Sequence, residues 1–191
     1  MKKPFDVSVH PFAAAGLFLL IFASSPAYGF AVLTSVFLHE MGHTSAALLL
    51  GKRILSVRIV PTGINIILSA PSSYAEELFI AAAGPLMNAL YALIAVYMPY
   101  TLGATVRGVS LFLALFNLLP LSPLDGGRIL TALLSPFFAS ALLRSFSSFC
   151  NLLLLTILWI FSLYIFFYSG INFMLLLFCA YLFSYIVLKK L

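Results

Sequence analysis

The stretch Phe37-Leu38-His39-Glu40-Met41-Gly42-His43-Thr44 decides how this chain is interpreted. It contains the pattern H-E-x-x-H inside a segment that is otherwise apolar enough to cross a membrane. On a helix, residues four positions apart share a face, so the imidazoles of His39 and His43 can bind one metal ion. Glu40 is turned towards the same site, where its carboxylate can take a proton from water. Ionisable side chains are costly in hydrocarbon, which favours a functional role for all three.

The composition of the 191 residues is that of an integral membrane protein. Hydrophobic residues make up 63% of the chain and charged residues only 8%, and the mean hydropathy is +1.16. Soluble domains carry about 25% charged residues. The apolar runs have the length of helices and lack the alternation of a membrane β-barrel. We therefore predict an all-α membrane protein, a bundle of six transmembrane helices.

The six predicted spans follow a short polar lead, Met1–His10. They cover approximately residues 12–23, 28–50, 78–97, 102–119, 149–167 and 171–188. The apolar run from Phe137 to Tyr168 is too long for one span, so we expect an interfacial piece around Arg144 before the fifth span. The lead and first span resemble a signal peptide, but Pro26 at the would-be cleavage site argues against removal.

A short membrane-associated β-hairpin is predicted between helices 2 and 3. The stretch Ile54–Ser69 is rich in β-branched residues and is interrupted by Pro61-Thr62-Gly63, as by a turn. An open strand edge is not tolerated against lipid, so it must face protein or a wet cavity. Such an edge could hold an extended peptide by strand addition, or the hairpin could be purely structural.

The basic residues mark topology, because they fall at the ends of spans and form no patch for nucleic acid. With six spans and the N-terminus inside, only Arg107 lies outside. The following residues lie on the cytoplasmic side: Lys2, Lys3, Lys52, Arg53, Arg58, Arg128, Arg144, Lys189 and Lys190. We therefore expect a multi-pass protein of the cell membrane with both termini in the cytoplasm. Cys150 and Cys179 are interpreted as small apolar core residues without a disulfide.

The third metal ligand is inferred by elimination. Asp6 lies in the polar lead, while Glu76 and Glu77 follow Ser73 in a pattern typical of a helix start. Asp125 is the remaining acid, and a site of two histidines and an aspartate beside a glutamate suits zinc-dependent amide hydrolysis.

The segment Asn117–Arg128 contains two prolines and two glycines, which predicts unwound backbone that lines a cavity. Asp125 would then lie on this unwound backbone, at the same membrane depth as the histidines. Asn88, an amide in hydrocarbon, is expected to bond a neighbouring helix.

Two motifs together resemble those of the site-2 protease family of intramembrane zinc metalloproteases. They are His39-Glu40-Met41-Gly42-His43 and Asn117-x-x-Pro120-x-x-Pro123-Leu124-Asp125-Gly126-Gly127. Gly84-Pro85-Leu86-Met87-Asn88 is similar to that family's G-P-x-x-N element. The resemblance extends from about Tyr28 to Arg128, and the short six-span form is most similar to the stage IV sporulation protein FB subgroup.

The resemblance implies one zinc ion per chain, bound by His39, His43 and Asp125, with Glu40 as the general base. It also implies that Asn117 lies near the zinc, where its amide would orient the substrate or stabilise the oxyanion. The implied substrate is a membrane protein or membrane-associated peptide, such as a transcription-factor precursor, cleaved near the cytoplasmic face. An inhibitory membrane partner or a second copy could regulate the enzyme within the lipid bilayer, and no nucleic acid is expected.

The chain departs from its relatives in having neither a PDZ nor a CBS domain. We therefore expect a single intramembrane metalloprotease domain over residues 1–191, and a sporulation substrate does not transfer directly. Two alternatives are a metal transporter and a zinc-binding scaffold without proteolytic activity. A transporter should offer polar ligands at successive depths, whereas these spans concentrate theirs in one layer.

Overall fold

A computed structural model describes residues 6–9, 25–60, 63–69, 71, 73–122, 124–169, 176, 179–180 and 182–184. The packing of its Cα atoms divides the chain after Leu118 into two compact units. The elements of the first unit are β1 (Asp6–Val9), α1 (Pro26–Leu49), β2 (Ile54–Val60), β3 (Gly63–Leu68), α2 (Tyr74–Ile94) and α3 (Tyr100–Asn117). A 3₁₀ turn, Ala95–Tyr97, follows α2. The second unit contains α4 (Asp125–Leu134) and α5 (Ser140–Ser169).

Capping residues mark the start of α1, its end and the start of α2. Ser25 precedes α1 and its hydroxyl accepts the backbone N–H of Tyr28 at 3.3 Å. Beyond the last turn of α1, Gly51 has a φ of 71°, a conformation that glycine adopts without strain. Ser73 caps α2 by accepting the backbone N–H of Glu76 at 3.2 Å. The predicted helix start at this serine is therefore present.

Small residues let α1, α2 and α3 pack closely against one another. A Cβ atom on Gly42 of α1 would lie 2.5 Å from the carbonyl oxygen of Ala83 on α2, so the two backbones nearly touch. The hydroxyls of Ser35 and Ser110 join α1 to α3 at 2.7 Å, and both residues are fully buried. The consequence is a fixed spacing of the three helices around the middle of α1.

The strands form one sheet in the order β1-β2-β3. Strands β2 and β3 are antiparallel, with Val57 opposite Ile66, and residues 61–62 of the predicted turn lie outside the described residues. Strand β1 pairs with β2 in parallel, with Val7 opposite Val57. No strand was predicted within the polar lead, so β1 was missed. Four residues carry too weak a pattern to reveal a strand whose partner lies 50 positions away along the chain.

The start of α4 corrects the predicted unwound segment. Residues Asp125–Arg128 are helical and not unwound, whereas the residues from Leu118 to Leu124 that the structure describes form turns and bends. Pro120 falls in this irregular stretch, as expected. An aspartate is favoured in the first turn of a helix, and a Cβ on Gly127 would overlap the carbonyl of Leu121. Gly127 thus serves close packing at the start of a helix.

Helix α5 corrects a second prediction. It is continuous over 30 residues, Ser140–Ser169, and no break separates the turn around Arg144 from the expected fifth span. The physical reason is that the segment contains neither proline nor glycine, so nothing stops the helix. Around it, Leu121, Leu155 and Leu182 form the core of the second unit.

Two stretches of the described chain are long and apolar enough to cross a bilayer, Tyr74–Tyr97 and Ser140–Tyr168. The first predicted span, residues 12–23, lies outside the described residues. In the last, residues 176, 179–180 and 182–184 are described, and these are helical. The architecture is therefore mostly helical, and the count of six spans stays a prediction. Both cysteines, Cys150 and Cys179, are free, as expected.

Candidate metal centre

His39 and His43 lie side by side on α1, one helical turn apart. Both are buried, with 7% and 8% of their surface exposed. Their Nε2 atoms are 3.1 Å apart, and the two rings meet edge to face with centroids 4.7 Å apart. The H-E-x-x-H spacing has thus brought two ring nitrogens to one point, as predicted from the helical periodicity.

Contacts from α2 hold the opposite nitrogens of both rings. Nδ1 of His43 lies 2.7 Å from the carbonyl oxygen of Ile80. A carbonyl only accepts hydrogen bonds, so this Nδ1 carries a hydrogen and donates it. Nδ1 of His39 lies 3.2 Å from the amide nitrogen of Asn88, as expected for an amide that bonds a neighbouring helix. These contacts leave Nε2 of each ring directed at the other.

Gly84 on α2 leaves room for the imidazole rings of His39 and His43. A Cβ atom built at Gly84 would overlap Nε2 of His43 and lie 2.9 Å from Cε1 of His39. Any residue with a side chain would therefore push the rings away from α2. The sequence had indicated that this segment matters, through the similarity of Gly84-Pro85-Leu86-Met87-Asn88 to a family element. The spacing of the residues alone could not show that the segment contacts the histidines.

The donor set suits a zinc ion. In a neutral histidine whose Nδ1 donates a hydrogen bond, Nε2 carries a lone pair that can bind a metal. Two nitrogens bound to the same tetrahedral zinc at about 2.0–2.1 Å are about 3.3–3.4 Å apart, close to the observed separation of 3.1 Å. Without a metal the two Nε2 atoms can share one hydrogen, and a bound cation would take the place of that hydrogen.

Asp125 is the first residue of α4 in the second unit and is also buried, with 7% of its surface exposed. Its Oδ1 lies 3.5 Å from Nη1 of Arg128, one turn along the same helix. Its carboxylate offers an oxygen as a possible ligand atom, as the rings of His39 and His43 each offer a nitrogen. That Asp125 binds the same metal ion as the two histidines stays a prediction.

The other predicted site residues are placed as follows. Glu40 is half-buried on α1, next to His39. Asn117 ends α3 and its Nδ2 donates to the carbonyl of Leu113 at 3.0 Å, so its role towards a substrate stays a prediction. Glu76, interpreted as a helix-start acid, also pairs with Lys52 at 2.7 Å. That contact ties the end of α1 to the start of α2.

Comparisons with known proteins agree with this interpretation. A family model described as Peptidase M50B-like matches residues 12–188. A zinc metalloprotease of Methanocaldococcus jannaschii is 33% identical over 130 residues, which is 63% of this chain and 35% of that protein. The chain thus spans about a third of the length of this curated relative.

The solved structure of a site-2 protease from Methanocaldococcus jannaschii is similar in fold. The TM-score is 0.70 at 24% sequence identity, over 95% of this chain and 89% of that one. The family model over residues 12–188 confirms the predicted family, whereas the closer likeness to the sporulation subgroup stays a prediction.

Proposed function

The chain belongs to the Peptidase M50B-like family, and from this premise we propose that it is a zinc-dependent protease that cleaves a membrane-associated protein within the membrane. The observation that carries the proposal is the pair of buried imidazoles, whose Nε2 atoms face each other at 3.1 Å. Ionisable side chains are rare and costly among membrane-spanning helices, which favours a functional role for this buried pair.

His39 and His43 would hold the metal from α1, and Asp125 would complete the protein ligands. Three protein ligands and one open position are typical of a catalytic zinc site, whereas a structural site has four. When bound, zinc supplies a Lewis acid that polarises a peptide carbonyl and makes water more acidic. These three residues do not form the closed site of cysteine ligands that is typical of structural zinc.

Glu40 would act as the general base. It follows His39 directly on α1 and is half-buried, which suits a group that meets water beside the metal. It would take a proton from the attacking water and deliver it to the nitrogen of the leaving amine. The amide of Asn117 would then orient the substrate carbonyl or stabilise its developing negative charge.

The substrate would be an extended segment of a membrane protein or membrane-associated peptide. Strand β3 lies at one side of the described sheet, in the order β1-β2-β3, and a strand at such a position can pair with an extended peptide. Lys52 and Arg53 follow the C-terminal end of α1, which favours a cytoplasmic location for that end. Cleavage would therefore take place near the cytoplasmic face, in a multi-pass protein with both termini in the cytoplasm.

Hydrolysis by the purified protein tests this function. A fluorogenic transmembrane peptide in detergent micelles should be cleaved by the wild type. The variant Glu40→Gln should bind zinc as the wild type does, yet lose at least about 100-fold in rate, the low end for a general acid–base. Met41→Leu is a suitable control, because Met41 lies on the same turn and 43% of its surface is exposed.

Two outcomes would contradict the proposal. Equal cleavage by wild type and Glu40→Gln would remove the general base from the mechanism. Zinc binding without cleavage of any membrane substrate would instead favour a scaffold, and zinc uptake into vesicles that contain the purified protein would favour a transporter.

A further inference from the structure

Asn88 is an amide side chain that the chemistry above does not use. It lies on α2, one turn beyond Gly84, and none of its surface is exposed. A fully buried carboxamide is costly unless its donors and acceptors are satisfied. Its placement therefore calls for a specific partner, and that partner is His39.

The contact joins Asn88 to the ring nitrogen of His39 that faces away from the proposed metal. Nδ2 of Asn88 lies 3.2 Å from Nδ1 of His39 and can donate to the ring's lone pair. Among the described residues, no group hydrogen-bonds Oδ1 of Asn88, although this oxygen is buried. The amide thus has one unused acceptor beside the imidazole.

Metal binding changes the hydrogen-bonding group that His39 needs from Asn88, from a donor to an acceptor. When Nε2 of a neutral imidazole is a ligand, the single ring hydrogen lies on Nδ1, which becomes a donor. Asn88 must then present an acceptor. The two ends of a carboxamide have nearly the same shape, so rotation of its terminal bond by 180° exchanges nitrogen for oxygen and moves little else.

We propose that Asn88 is a positioning residue of the metal site, whose Oδ1 accepts the Nδ1 hydrogen of His39 and so directs Nε2 at the metal. The inference rests on the proposed function, because it requires His39 to be a ligand. His43 has the equivalent arrangement, since its Nδ1 donates to the carbonyl of Ile80 at 2.7 Å. One histidine is therefore oriented by a backbone oxygen and the other by a side-chain oxygen.

Residues Gly84 and Asn88 act together in this arrangement. They are four positions apart and share one face of α2. Gly84 leaves the space for both rings, and Asn88 sets the tautomer and the orientation of one of them. Helix α2 thus lies against the two histidines and orients them without providing a ligand.

Two substitutions that keep the branched shape of the asparagine side chain distinguish loss of the acceptor from a change in packing. Asn88→Asp keeps an oxygen that can accept the Nδ1 hydrogen, whereas Asn88→Leu removes it. Zinc affinity is measured on the full-length protein in detergent, by competition with a chromophoric chelator at fixed pH. We expect Asn88→Leu to bind zinc about 10–100-fold more weakly than the wild type, as for other partners of metal-binding histidines. Asn88→Asp should retain most of the affinity.

A matched control is Ser110→Ala. It removes a different buried contact between two helices of the same unit, the 2.7 Å bond to Ser35, and should leave zinc affinity unchanged. The proposal is overturned if Asn88→Leu binds zinc as tightly as the wild type. It is also overturned if Asn88→Asp loses as much affinity as Asn88→Leu, since the acceptor would then be irrelevant.

A measurement on the unchanged protein covers the case in which a variant fails to fold. Nitrogen-15 labelling of the histidines allows long-range proton–nitrogen spectra to show which ring nitrogen of His39 carries the hydrogen. In the zinc-loaded wild type we expect the hydrogen on Nδ1, and a hydrogen on Nε2 would refute the proposal.

The same experiments separate this inference from the proposed function. If the wild type binds zinc, His39→Ala does not, and the Asn88 variants are unaffected, only the role of Asn88 is wrong. If the wild type and His39→Ala bind zinc equally, the metal site itself is wrong and the inference fails with it.

Discussion

Gly84 on α2 faces the imidazole of His43 so closely that a single methyl group at Gly84 would overlap Nε2 of the ring. We predict that Gly84→Ala weakens zinc binding at least about 10-fold, because the ring must turn away from its ligand position. The same chelator competition measures the effect, and cleavage activity should fall with it.

Gly108 provides the control for that substitution. It is an exposed helical glycine of α3, and a Cβ there would meet no atom within 4 Å. Gly108→Ala should leave zinc binding unchanged and stabilise the helix by up to about 1 kcal/mol. Equal zinc affinity in Gly84→Ala and Gly108→Ala would show that the rings are not confined by α2.

Zinc should stabilise the folded protein as well as activate it. A ligand that binds only the folded state at 100 times its dissociation constant adds about 2.7 kcal/mol to the free energy of unfolding. We therefore expect a higher unfolding temperature in detergent with zinc than after treatment with a chelator. Magnesium, which prefers oxygen ligands, should not replace zinc. A similar rise in His39→Ala would indicate that zinc binds elsewhere.

The ion pair between Lys52 and Glu76 should contribute more than a surface pair. Its atoms are 2.7 Å apart, and 9% and 25% of the two side chains are exposed. Lys52→Met leaves the carboxylate half-buried without this cation, and we expect a loss of about 1–3 kcal/mol in the free energy of unfolding. Chemical denaturation in mixed micelles measures it. The neighbouring, exposed Arg53 gives the control Arg53→Met, and equal losses in both variants would argue against a specific contribution of the pair.

Asn151 should hold the irregular segment that precedes Asp125. Its Oδ1 accepts the backbone N–H of Ser122 at 2.8 Å, and only 6% of Asn151 is exposed. Asn151→Leu would leave this N–H without its acceptor, at a cost of about 1–3 kcal/mol. Hydrogen exchange should show faster exchange at Ser122, and cleavage should slow because Asp125 follows three residues later.

Two further substitutions check the role of Asn151. Asn151→Asp keeps an acceptor and should preserve slow exchange at Ser122. Thr156→Val removes only an exposed bond to the carbonyl of Leu152 on the same helix, so it should have no effect at Ser122. Unchanged exchange in Asn151→Leu would mean that other contacts hold the segment.

The three proposed metal ligands could be named from the sequence for two reasons: two of them share a helix face, and the third is the acid that no other role explains. His39 and His43 follow from helical periodicity, and Asp125 remained after the other acids were explained. The residues that support them could not be derived in this way. Gly84 and Asn88 act across a helix interface, and their effect depends on how closely α1 approaches α2, which is set by Gly42 and Ala83.

The errors of prediction have a common physical origin. Proline and glycine were taken to unwind the backbone as far as Arg128, but Gly126 and Gly127 lie in the first turn of α4. At Gly127 close packing requires a residue without a side chain. Conversely, a long apolar run was divided although nothing in it could end a helix. Strand β1 depends on a distant partner and leaves no readable pattern.

The uninterrupted length of α5 makes the protein sensitive to the thickness of its membrane. Thirty residues rise about 45 Å at 1.5 Å per residue, whereas the hydrocarbon layer is about 30 Å thick. The helix must therefore tilt strongly or extend its first turns, with Arg144, among the lipid headgroups. The tilt of α5 should differ between bilayers of short and long acyl chains. Through this hydrophobic mismatch, the lipid composition would directly influence the second unit.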